Sequence, residues 1–236
     1  STVEASTVAS FSFFSRTEFD GCYGNQLSDV AREFYDSLAK NYAEDNMTGE
    51  YIYAFETPFT FNAEISGGSI IMNDELEEVC ITIDYSLQSA MDAFIYDHPE
   101  VFWLKNIESS YSISASGNSV TGYTGYVEEI TITPVEIYSG ASAKFSQYDS
   151  AVASALAAIT VSESRYDTLK NVHDYVCSNA WYNLVSENRV HSSEAFFIGD
   201  GGGVCEGYAK AFQYLCDLSS FSGDVTCYSV TGYMFY

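Results

Sequence analysis

Along this 236-residue chain, apolar residues recur every three or four positions in some stretches and alternate with polar ones in others. The two periods predict helices and strands in one mixed α+β protein. Leu27, Val30, Ala31, Phe34, Tyr35, Leu38 and Tyr42 make a helical stripe after the turn-like Gly24 and Asn25. A longer helix is predicted from about Asp74 to Tyr96, with Leu76, Val79, Ile83, Leu87, Ala90 and Phe94 along one face. Asn73 stands where a cap accepts a first-turn N–H, and Asp74, Glu75, Glu77 and Glu78 complement the positive helix end. These acids lack the alternating oxygen ligands of a calcium loop, so they are read as a helix start. His98 before Pro99 is read as its stop.

Residues 51–55 and 59–61 are predicted to be extended and separated by Pro58. From Ser109 to Tyr138 the pattern predicts a β-hairpin or small meander turning at Gly117 and Asn118, with Pro134 marking an edge or bulge. Helical spacing resumes at Tyr148, Val152, Ala155, Leu156 and Ile159, and Ser164 is placed as the cap of a following helix in which His173 takes a packing role. The chain is divided into an acidic α+β region over 1–145 and a second region over 146–236, entered through the helix at 148–160.

One segment carries chemistry. In Gly201-Gly202-Gly203-Val204-Cys205-Glu206-Gly207-Tyr208 a glycine-rich approach, read as flexible, delivers a cysteine to a predicted helix whose apolar face is Tyr208, Ala209, Phe212, Leu215 and Cys216. At a helix N-terminus the unpaired backbone N–H groups favour a thiolate over a thiol and can also hold an oxyanion. The competing reading, a buried structural thiol, does not call for such an approach.

This segment resembles the transglutaminase-like superfamily of papain-type cysteine enzymes. The resemblance covers residues 165–236: Tyr166-Asp167-Thr168-Leu169-Lys170-Asn171-Val172-His173-Asp174-Tyr175-Val176-Cys177 is similar to the helix before the nucleophile in microbial members, and the aromatic Trp181-Tyr182-Asn183 follows it. Cys227-Tyr228-Ser229-Val230-Thr231-Gly232-Tyr233 is similar to the first strand after the nucleophile helix. A weaker similarity, at Asp97-His98-Pro99-Glu100-Val101-Phe102-Trp103-Leu104, is to extracellular members with an added front region. The resemblance implies a papain-like core with Cys205 as nucleophile, a thioester intermediate, a protein or peptide substrate, and either an amine or water as acceptor. Gly203 and Glu206 flank the nucleophile; Trp181 and Tyr182 either border a substrate groove or pack. The family's histidine and aspartate lie on later strands, and the sequence ends at Tyr236 before any residue matches them, so the chain is expected to be truncated there. Of the three histidines, His191, fourteen residues before Cys205, is the alternative imidazole, set against an ordinary surface role. Calcium, which animal members use, is not carried over, and no cofactor is implied.

Composition narrows the partners. The formal charge of −24, from 33 acidic and 9 basic residues and concentrated in residues 1–149, opposes binding to nucleic acid or to an anionic membrane. No run of about 18 apolar residues is present, so no membrane insertion is expected. The start at Ser1, the 20 tyrosines and the few lysines suit a secreted protein, extracellular or at the cell surface. Six cysteines show no metal-ligand spacing, which leaves no metal site expected. Cys80, Cys177 and Cys216 are read as buried small hydrophobes, and Cys22 and Cys227 as the candidates for oxidation. The alternative function is a noncatalytic extracellular surface or assembly protein that self-associates through tyrosine-rich strand edges.

Overall fold

A computed structural model describes residues 23–43, 48–185, 187–219, 221 and 227–230. The chain is a mixed α+β protein in which an antiparallel sheet and two helices form the front, and short strands and helices carry the cysteine-bearing segment behind it. Cys22 and the residues from Thr231 to Tyr233 lie outside the described residues.

Helix α1 (Asp29–Ala43) buries Ala31, Phe34, Tyr35 and Leu38, the positions its apolar stripe selects. Strand β1 (Tyr51–Ser66) runs through Pro58 rather than stopping at it, and turns into the short β2 (Ser69–Ile71). Pro58 falls in an irregularity: the pairing of β1 with β4 (Gly122–Glu136) jumps from Ala54↔Glu129 to Phe59↔Val127. A residue without an N–H is tolerated where the ladder is already interrupted. There the excess lies on β1, whose residues 55–58 face the single Glu128 of β4; against β3 (Leu104–Asn118) the shift is from Ser112↔Glu129 to Ile113↔Val127, and Glu128 is the one extra residue. Because strand side chains alternate, one inserted residue moves the core-facing set from Val127 to Ile130 and Ile132, all fully buried. Pro134 pairs with Ile107 of β3 but lies beyond Ile132, where pairing with β1 ends. The sheet order is β2-β1-β4-β3.

Helix α2 (Asp74–Asp97) starts at the predicted cap: the Asn73 side chain accepts from the Leu76 N–H at 3.0 Å. Its face of Leu76, Ile83, Leu87, Ala90 and Phe94 packs into the sheet-side cluster with Phe34, Phe61 and Val127. Each of the larger of these side chains, leucine, isoleucine, valine or phenylalanine, contributes about 1.5–3 kcal/mol when fully buried. At its end Asp97 is buried and accepts from the Tyr23 and Gly24 N–H groups and the Tyr35 hydroxyl at 3.0, 2.8 and 3.1 Å. His98 caps the helix, its N–H bonding Phe94 O.

Helix α3 (Phe145–Ala158) gives Tyr148 and Val152 to the sheet-side cluster and Ala155 to a second cluster built from α4 (Arg165–Asn179) and α6 (Cys205–Leu218). Ser164 caps α4 as expected, accepting from Asp167 N at 3.3 Å. Two expectations on this helix are corrected. Val172 and Val176 take the buried positions, so His173 and Cys177, one residue further round, are exposed and neither packs into the core. Cys216 is buried as expected, and Cys80 is partly buried, its thiol pushed up by burial and by Asp84. A third correction concerns the strand expected after α6: residues 227–230 join no ladder and are held instead by Gln213, whose Oε1 accepts from Ser229 N at 3.1 Å.

Side-chain bonds tie the back of the molecule to the segment after α2. Ser192 Oγ donates to Phe102 O at 2.7 Å, Ser193 Oγ to Pro99 O at 3.1 Å, and Gln213 Nε2 to Tyr96 O at 2.7 Å.

Candidate active site

Cys205 is the first residue of the 14-residue α6 and is exposed. The residue before it, Val204, has extended φ/ψ and offers no side-chain cap. The first-turn N–H groups therefore have no partner within the helix and no capping oxygen from Val204.

Two backbone contacts set this helix start in place. Strand β6 (Gly202–Gly203) pairs in parallel with β5 (Trp181–Tyr182), Trp181 N donating to Gly201 O and Asn183 N to Gly203 O, both at 3.0 Å. Val204 N then donates to Val190 O at 3.0 Å. The glycines serve this packing, which corrects the reading of a flexible approach. All three are buried; Gly201 has φ +81, and a Cβ on Gly202 would lie 2.7 Å from the Trp181 indole. Gly207 does the same on the other side, where a Cβ would come within 2.6 Å of Val190 O.

The structure brings the remaining predicted residues to this end in different ways. Gly203 sits in the β5–β6 pair one residue before Val204. Trp181 and Tyr182 stand beside it, 49% and 56% exposed, and the Tyr182 ring stacks on Tyr208 with centroids 6.4 Å apart. They are therefore rim residues more than core residues. Glu206 is bridged by Lys210 at 2.7 Å and by His191 Nδ1 at 3.1 Å. His191 is thus engaged by the carboxylate next to the nucleophile, on the side of a cavity of about 210 Å³ that Glu206, His191 and Lys210 help to line. That cavity opens between α2, the segment following it, the 3-10 turn at Asn188–His191 and α6.

A second thiol group was not anticipated. On α4, Cys177 Sγ lies 3.5 Å from His173 Nε2, and His173 Nδ1 lies 3.1 Å from Asp174 Oδ1, while the other oxygen of Asp174, Oδ2, pairs with Lys170. The signal was in the spacing: residues four apart on a helix are neighbours on its surface. This group adjoins the Cys205 end through Tyr208, whose hydroxyl is pushed up by burial first and then by Cys177 and Tyr182.

Electrostatics in the cavity wall follow burial. Asp92 is pushed up by burial, partly offset by Gln88 and Lys210. Tyr96 is pushed up to about 12 by burial, with Glu206 and Asp92 adding to it, and the Lys210 ammonium lies 5.6 Å from its ring centre. Among the described residues, no group of three or more His, Cys, Asp and Glu is arranged to hold a metal ion, and no helix is long and apolar enough to cross a membrane.

In comparisons with known proteins, no protein-family model and no curated protein matches the chain.

Proposed function

We propose that Cys205 is the nucleophile of a cysteine-dependent acyl transfer or hydrolysis at amide bonds, on a transglutaminase-like core of papain type, acting outside the cell on a protein or peptide. The observation that carries this reading is an exposed thiol at the first residue of a helix whose preceding residue supplies no side-chain cap. The family assignment itself rests on the motif residues around Cys205 and on α4.

The chemistry follows from that position. The Cys205 thiolate adds to the amide carbonyl, forming a C–S bond and placing negative charge on the carbonyl oxygen. First-turn N–H groups of α6 supply donors for that oxyanion. Collapse breaks the C–N bond, the leaving nitrogen takes up, through solvent, the proton that the Cys205 thiol gave up, and a thioester remains on Cys205. An incoming amine then gives a new amide, or water gives the acid, with the thiol restored. In this reading Trp181 and Tyr182, exposed beside Gly202 and Gly203, border the substrate groove and shield the thioester from water.

The test is an acyl donor, a glutamine-containing peptide or an activated ester, followed by intact mass and peptide mapping. A hydroxylamine-labile acyl adduct on Cys205, absent in Cys205→Ala, supports the reading; an adduct that survives that substitution overturns it.

The noncatalytic surface or assembly role is favoured by one feature, the 15-residue β3 at the edge of the sheet order β2-β1-β4-β3. Among the described residues β3 has no outer neighbour in the sheet, and an edge of that length is a template for pairing with another chain. Concentration-dependent self-association by sedimentation, in a protein that forms no acyl adduct, would favour it over the enzyme.

A further inference from the structure

We propose that His173 and Cys177 together bind a zinc ion on the exposed side of α4, through His173 Nε2 and the Cys177 thiolate, with Asp174 fixing the imidazole and the remaining coordination positions open to water. The proposal does not rest on acyl transfer at Cys205, since neither ligand takes part in that chemistry.

The first observation is the separation of the two ligand atoms. Cys177 Sγ and His173 Nε2 lie 3.5 Å apart. Zinc bonds sulfur at about 2.3 Å and imidazole nitrogen at about 2.0–2.1 Å in tetrahedral geometry, which sets two such atoms about 3.5–3.6 Å from each other. The pair therefore already stands at the spacing that one zinc ion requires. Residues four apart on a helix are brought together by the backbone itself, and α4 is anchored on its other side by Val172 and Val176, 0% and 4% exposed. Both ligands thus belong to a rigid element rather than to a loop.

The second is the remaining ring nitrogen. A zinc-bound histidine nearly always donates its other N–H to a carboxylate, a carbonyl or water, which fixes the ring and raises its strength as a ligand. His173 Nδ1 lies 3.1 Å from Asp174 Oδ1. With zinc on Nε2, Nδ1 carries the proton and donates it to that oxygen. Asp174 Oδ2 is paired with Lys170, so the nearest ammonium group is balanced by the carboxylate that supports the ring.

The third is access and ligand chemistry. The His173 side chain is 65% exposed and Cys177 is exposed, so a hydrated ion can reach both. A chain of 33 acidic and 9 basic residues draws divalent cations toward its surface. Thiolate with imidazole then selects zinc over magnesium and calcium, which take oxygen ligands. On binding, zinc loses waters, the Cys177 thiol gives its proton to solvent, and a Zn–S bond replaces S–H with no change of oxidation state. Two protein ligands are fewer than the three or four of dedicated zinc sites, which places the dissociation constant at about 1–20 µM.

The experiment alkylates the full chain with iodoacetamide, alone, with about 200 µM zinc chloride and with the same concentration of magnesium chloride, and quantifies label on the Cys177 peptide by mass spectrometry. Zinc is expected to slow Cys177 labelling at least about tenfold and magnesium to leave it unchanged. His173→Ala is expected to lose that protection, and Asp174→Asn to raise the zinc concentration for half-protection about tenfold. Both positions are exposed on α4, so the fold is retained, which an unchanged thermal melt confirms. Cobalt(II) titrated into Cys205→Ala, which lacks the other exposed thiol among the described residues, is expected to give a thiolate-to-metal charge-transfer absorption that a further Cys177→Ser removes. No protection of Cys177 by zinc, equal protection by magnesium, or zinc protection that survives His173→Ala overturns the proposal. These readouts follow Cys177 and need no acyl donor, so they stand apart from the outcome at Cys205.

Discussion

Two exposed thiols lie at the same end of this molecule, and each has what the other lacks. Cys205 opens α6, where backbone N–H groups point outward and the helix dipole is positive. Cys177 lies in the last turn of α4, where carbonyl groups and the negative end of the dipole surround it, but it has an imidazole at 3.5 Å. A base beside a thiol assists proton removal; only the helix start also stabilises the thiolate and the oxyanion that forms after attack. The comparison teaches that backbone position and a nearby histidine act on a thiol in different ways, and it makes the proposed roles separable by substitution.

The sharpest separation is expected from Cys205→Ala, which should lower thioester formation by at least about a hundredfold, while Cys177→Ser leaves it near the unmodified level. Mass analysis of acylated protein reads both. Next in size is a change beneath the Cys205 end alone. Glu194 is fully buried and held by Arg189 Nε at 3.1 Å and by the Tyr138 hydroxyl at 2.8 Å. Arg189→Met leaves that carboxylate without its cation and is expected to cost about 3 kcal/mol in urea unfolding. In the same protein Cys205 alkylation should change and Cys177 alkylation should not.

Gly207→Ala acts on the same side with less force. Its Cβ would meet backbone, Val190 O at 2.6 Å and Ser192 O at 3.0 Å, so the Asn188–His191 turn must move away from α6 at a cost of about 1–3 kcal/mol. His173→Gln tests the other thiol: Cys177 alkylation should slow about fivefold and Cys205 alkylation should stay the same, a modest effect because the pair is exposed and unshielded. The smallest effect concerns the link between the two. Tyr208 is raised by burial and then by Cys177 and Tyr182, so its neutral form is favoured in the folded state. That contribution to stability is complete below the unfolded tyrosine pKa of about 10 and is lost as pH rises through the higher folded value. Cys177→Ala removes one cause and should bring the Tyr208 titration, followed by ultraviolet absorbance, slightly downward.

Much of the helical pattern was legible because its determinants are local. The stripe from Leu27 to Tyr42, the cap at Asn73, the stop at His98 and the cap at Ser164 each act within a turn or two of helix, and all four appear where the pattern puts them. What escaped depends on partners distant in sequence. The run of β1 through Pro58 depends on its pairing with β4, a distant strand, whose register breaks between Ala54 and Phe59 and leaves Pro58 outside the ladder. The exposure of His173 and Cys177 depends on which side of α4 meets α6, and a one-position rotation of the buried stripe exchanges core for surface. At the candidate site, the start of α6 at Cys205 was legible from Gly203, Cys205 and the periodicity that follows, whereas the role of the glycines in close packing against Trp181 and Val190 appeared only once β5 and the Asn188–His191 turn were in place. The cavity joins residues from Met91 to Lys210, and no local pattern announces it.

The most direct test of the central claim is a competition between the thiols for a limiting amount of iodoacetamide at neutral pH, with the label on each cysteine peptide quantified by mass spectrometry. The account predicts that Cys205 is labelled faster than Cys177, and that His173→Gln widens the gap. Labelling of Cys177 ahead of Cys205 would contradict it and move the nucleophile from the start of α6 to the end of α4.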